Sequence, residues 1–242
     1  MYKKEIQCFF SSLTGYLVIF VFLVVTGLCL WVVPGVLNIP EHGYASLESL
    51  FYIAPWIFLF LVPSITMRSF AEEIKTGTIE TLLTKPVSEW QIVVAKFLAS
   101  ATLVFIALLP CLVYIFSVWS LGSPPGNLDT GATYGAMTGL LLLGAIYAAI
   151  GTFASSLTDN QVIAFISAAL TSFVFYEGFD ALAKLFESAG VQDFVSYLGI
   201  KEHYASISRG VVDFRDLVYF FGVTLLFLLL TRLKLQSRKW KK

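Results

Sequence analysis

Charge is scarce in this chain, and where it occurs it avoids the long apolar stretches. Of 242 residues, 13% are Asp, Glu, Lys or Arg and 57% are hydrophobic. A water-soluble domain carries about 25% charged residues. With so little polar surface to offer water, the chain has to be solvated by lipid. Cysteine and histidine are nearly missing too, at three and two residues. Cys8, Cys29 and Cys111 are scattered in or beside apolar runs, which excludes a disulfide framework. His42 lacks a second ligand at metal-site spacing, and His203 is a lone histidine without an expected role. No G-x-x-x-x-G-K-[ST] loop occurs, so nucleotide phosphates are not cradled by that route. The apolar runs contain no ionisable residue, which argues against a proton- or sodium-driven carrier. They also lack the paired polar groups of a membrane-embedded enzyme. No catalytic residue, cofactor or metal is expected, and with a formal net charge of zero no nucleic-acid partner is either.

What is present is a series of continuous apolar runs, at residues 13–33, 50–67, 97–119, 134–157, 162–176 and 217–231. They are continuous rather than alternating, so they read as helices, not barrel strands. A spanning helix needs roughly 17–25 apolar residues. Four runs meet this, and the fifth and sixth meet it with their flanks or with local thinning of the bilayer. The expectation is an all-α, polytopic membrane protein with six transmembrane helices in a single domain over residues 1–242. The first run is too long for a signal-peptide core and no small-residue cleavage site follows it, so it is expected to stay as a span. Twelve of the sixteen Lys and Arg residues fall on the side of the two termini; only Lys184, Lys201, Arg209 and Arg215 lie opposite. That asymmetry predicts cytoplasmic termini.

Residues 1–12 read as an interfacial helix, with Tyr2, Ile6 and Phe9 on one face and Lys3, Lys4 and Gln7 on the other. The outer segment 177–216 mixes apolar and charged residues, as short interfacial or re-entrant helices do. Gly135, Gly139, Gly144 and Gly151 sit at a spacing suited to close helix packing. The connection 68–96 is the informative piece. Gly77 offers a left-handed stop and Pro86 a second break, leaving a helix of one or two turns over 78–83. Ser88 with Gln91 forms a capping box for the next helix. Ile79, Leu82 and Leu83 make an apolar ridge beside Glu80.

The stretch from Ala71 to Ser88, containing Glu73-x-x-x-Gly77-Thr78-x-Glu80-x-Leu82-Leu83-x-x-Pro86-x-Ser88, resembles the signature of ABC transporter type-2 permeases. Ala95-Lys96 departs from the Gly-Lys pair common in the family. Residues 44–52, 126–133, 153–161 and 175–182 resemble most the F permease subunits (GldF) of the gliding-motility-associated transporters of Bacteroidetes-type bacteria. The resemblance implies a multi-pass subunit of the bacterial cytoplasmic (inner) membrane with the type-2 permease fold, working on a separate ABC ATPase subunit that holds ATP-Mg. It also implies a second permease subunit, as homo- or heterodimer, accessory motility proteins as further partners, and re-entrant helices between spans five and six. Carried onto this chain, the ATPase-coupling residues are Glu72, Glu73, Gly77, Thr78, Ile79, Glu80, Leu82, Leu83, Pro86 and Ser88. Of these, Glu72, Glu73 and Glu80 are expected to face basic residues of the ATPase. The other reading is a non-transporting membrane scaffold or mechanical coupler of a motility or secretion complex.

Overall fold

A computed structural model describes residues 2–84, 87–210 and 213–239. Among them there is no β-strand. The amphipathic helix α1 (Tyr2–Ser11) has no fully buried residue and meets α2 (Leu13–Trp31) at a bend of 72°. Then follow α3 (Glu48–Thr66), α4 (Ala71–Lys75), α5 (Thr78–Leu83), α6 (Glu89–Leu108) and α7 (Leu112–Leu121). The second half holds α8 (Thr130–Leu157), α9 (Gln161–Phe173), α10 (Phe179–Ala183), α11 (Ala189–Ser196), α12 (Ile200–Ser208) and α13 (Phe214–Lys239). Five helical segments among the described residues are long and apolar enough to cross a membrane, beginning at Glu48, Glu89, Thr130, Gln161 and Phe214. The bent α1–α2 pair, counted as one span, makes a sixth.

The helix α8 is the hub, packed against α3, α6, α9, α12 and α13. Its small residues make this physically feasible. A Cβ on Gly144 would lie 2.6 Å from Val104 of α6, and one on Gly151 would lie 2.0 Å from the Thr66 hydroxyl of α3. The glycines thus set how closely two neighbours approach α8, the close-packing use of small residues that compensates for the lack of a hydrophobic drive between helices in lipid.

Two helices extend beyond their apolar runs, the third as the Ser88 capping box predicts. The third begins at Glu89, capped by Ser88, whose hydroxyl accepts from Gln91 N while Gln91 Oε1 accepts from Ser88 N. It continues through a 3-10 turn at Leu109–Cys111, around Pro110, into α7. The fifth was expected to leave the bundle at Glu177, but a π turn over Val174–Gly178 carries it into α10. Glu177 is tolerated there because Lys201 of α12 reaches it at 2.7 Å, with Asp180 at 3.2 Å on the same ammonium.

The segment 177–216 folds back onto the bundle through α12. Its Tyr204 hydroxyl donates to Phe51 O of α3 at 2.8 Å. Just beyond α12, Gly210 adopts φ +84° and crosses α8 so closely that a Cβ would lie 2.7 Å from Ala132 Cα. His203, which carried no expected role, is buried here. Its Nδ1 lies 2.7 Å from Asp216 Oδ1, its Nε2 lies 2.9 Å from Tyr197 O, and its ring stacks on Tyr219. It clasps α12 to the start of α13. By contrast, His42 sits in the loop before α3, stacked on Tyr44.

Candidate coupling site

The connection from α3 to α6 is built in three steps. The α3 helix loosens into a turn at Met67–Phe70, where Ser155 of α8 takes over the backbone groups. Its hydroxyl accepts from Phe70 N and Ala71 N and donates to Met67 O, each at 3.0 Å. Two orphan N–H groups at the start of α4 are thereby satisfied by a side chain some 85 positions away, which fixes the turn to the hub helix. Next, α4 closes with the Thr76 hydroxyl on Glu72 O. Gly77 then reverses the chain with φ +73°, a conformation costly for any residue with a Cβ. Finally, α5 makes little more than one turn before the chain returns to Ser88.

The second fixing point is Lys96. Although expected at the edge of the loop, it lies inside α6 with a side chain 1% exposed. The ammonium contacts Glu5 of α1 at 2.9 Å and Glu73 of α4 at 3.0 Å, donates to Ser69 O, and stands over the Phe70 ring. Two carboxylates and a carbonyl replace the water that this buried ammonium gives up. Three elements distant in sequence therefore meet on one charge. Tyr2 adds a hydrogen bond to Thr102, and Phe9 and Phe10 pack against the core, so α1 lies along α6.

The expected coupling residues divide into two faces. Glu72, Gly77, Thr78 and Glu80 are exposed, and Ser88 is exposed while serving as a cap. Ile79, at 4% exposure, is buried in the core, and Leu82 packs partly against it. Ile79 and Leu82 thus anchor α5 instead of presenting themselves. The backbone of Leu83 ends α5, while Pro86 lies outside the described residues. Glu73, expected to face basic residues of the ATPase, is paired at 3.0 Å with Lys96 of this chain. Sequence reading missed Lys96, Ser155 and Glu5. A lysine flanked by Ala95 and Phe97 within an otherwise apolar helix was the one available signal.

A family model described as ABC-2 family transporter protein matches residues 40–179, from before α3 to the start of α10. The chain belongs to the ABC-2 transporter family. It is accordingly a multi-pass permease component of an ABC transporter, a family role that implies an ABC ATPase as partner. No curated protein matches the chain.

Proposed function

We propose that α4 and α5 receive mechanical work from a separate ABC ATPase and pass it to the helical bundle of an exporter. The observation that carries this is the two-sided build of the α4–α5 segment. One side is fastened through Ile79, Ser155 and the Glu73–Lys96 pair, while Glu72, Thr78 and Glu80 are exposed on the other. A short element rigidly attached to two spans transmits a push; a loose loop would absorb it. In this reading the face carrying α1, α4 and both chain ends is cytoplasmic, in the bacterial inner membrane, and ATP-Mg stays on the ATPase. A second permease, identical or not, completes the path. The link to gliding motility rests on the resemblance of residues 44–52, 126–133, 153–161 and 175–182 to permeases of that kind.

Co-purification tests the docking role. Reversing charge at the exposed face with Glu72→Lys and Glu80→Lys is expected to reduce ATPase retention severalfold, whereas Lys184→Gln at the opposite end leaves it unchanged. Unaltered retention in the double variant refutes docking through this face. A partner ATPase unable to hydrolyse ATP is expected to abolish motility; full motility with that partner would replace transport by the scaffold reading.

A further inference from the structure

Between α1, the lower end of α3, α4, α5 and α6 lies a groove of about 700 Å³, a volume typical of small-molecule sites. Its lining is zoned. Val18, Ile65 and Leu103 form an apolar wall, and Arg68, Thr76 and Thr81 stand on the polar side. Among its charged residues, Lys96 is already neutralised by Glu5 and Glu73. Arg68 is not. Its Nε is shut off from solvent without a hydrogen-bond partner, and the guanidinium forms no ion pair among the described residues. A half-buried arginine with no protein acceptor among the described residues, at the end of a spanning helix and beside an amphipathic helix, is suited to a tetrahedral oxyanion. The position of the groove says where that oxyanion comes from. It opens beside the amphipathic α1, whose pattern suits the level where headgroups meet acyl chains, and its apolar wall is drawn from the spanning helices through Val18 of α2, Ile65 of α3 and Leu103 of α6.

We propose that this groove holds one phospholipid molecule, its headgroup phosphate on Arg68 and an acyl chain along Val18, Ile65 and Leu103. The lining charges cancel, with Lys4, Arg68 and Lys96 against Glu5, Glu72 and Glu73. The phosphate is therefore recognised locally by Arg68, not through an overall positive field. The groove borders the exposed α4–α5 face and shares Glu72 and Thr78 with it, but lipid retention on Arg68 is read without any ATPase present.

The test is native mass spectrometry on the full-length chain, delipidated in detergent and offered dioleoyl phosphatidylglycerol. Retention of one lipid is expected, with diolein, which has the tails without the phosphate, and inorganic phosphate, which lacks tails, both failing to replace it. Arg68→Gln is expected to weaken retention roughly tenfold, the worth of one charge-assisted contact. Arg68→Lys is expected to fall between, and Lys75→Gln, exposed and outside the groove, to bind as the parent does. Equal retention of diolein, equal retention by Arg68→Gln, or displacement of the lipid by inorganic phosphate overturns the proposal. Photolabelling of the unaltered chain with a diazirine-bearing phosphatidylglycerol provides a check independent of any variant. Labels on Val18, Ile65 or Leu103 support the site. Labels confined to lipid-exposed positions such as Ile166 and Phe221 overturn it.

Discussion

Lys96→Met removes one cation and leaves two carboxylates facing the space it held. Breaking a buried ion pair from one side costs about 3–5 kcal/mol, because the remaining charge stays desolvated. The Glu5 and Glu73 side chains retain 25% and 22% exposure, so water recovers part of the loss and places the cost at the lower end, about 3 kcal/mol. The helix α1 has no fully buried residue, so its docking is the contact most easily surrendered. Hydrogen exchange over residues 2–11 is expected to accelerate by up to roughly 150-fold, the factor that 3 kcal/mol corresponds to. The single variants separate the two arms. Glu5→Gln should speed exchange in α1 alone, and Glu73→Gln should act on α4. The triple neutral variant Lys96→Met with Glu5→Gln and Glu73→Gln should regain much of the loss, since removing a whole charge cluster is far cheaper than removing half of it. Unchanged exchange in α1 for Lys96→Met, or equal acceleration in every helix, refutes the assignment of Lys96 as the clasp holding α1.

Ser155→Ala strips the acceptor from Phe70 N and Ala71 N and is expected to cost about 1–3 kcal/mol, read as faster exchange of those two amides while α9 stays protected. Gly151→Ala drives a methyl into the Thr66 hydroxyl and is expected to destabilise by about 1–3 kcal/mol. Adding Thr66→Ala should recover part of it, and strict additivity in unfolding measurements would refute the close approach. Burial opposes the charge on Lys201, but Glu177 and Asp180 outweigh it and hold the ammonium above the usual lysine range. The anchoring it gives α12 is therefore complete below pH 10.5, the ordinary lysine value, and lost as pH rises through the elevated one. Proteolysis between α10 and α12 should quicken in that alkaline window, and not in Lys201→Met, which lacks the anchor at any pH.

The class of the fold was legible because the length of an apolar run is a local property. The capping box at Ser88 and the reversal at Gly77 were legible for the same reason: each is set by residues within a few positions. What escaped reading depends on partners far along the chain. Glu177 looked like the end of a span because nothing near it in sequence neutralises it, and Lys201 is 24 residues away. Glu73 looked available to another protein because its partner Lys96 lies beyond α5, in α6. His203 looked idle because its partner Asp216 is 13 residues away. For the one-turn helix α5, the pattern gave a ridge and an opposite face without saying which faced inward; only the burial of Ile79 decides this.

The position of Ser155 has a mechanical consequence. It lies two residues before the end of a 28-residue helix, about 42 Å long at 1.5 Å per residue. The far end of that helix is clamped by Gly210 and α12, and α12 is itself hydrogen-bonded to α3. Under the proposed coupling, hub and clamp would make α8 a lever whose short handle is the turn at Phe70. A rotation of about 5° delivered there displaces the opposite end by roughly 4 Å over that length. Because α12 is packed on α8 and hydrogen-bonded to α3, such a displacement would move these three helices as one surface.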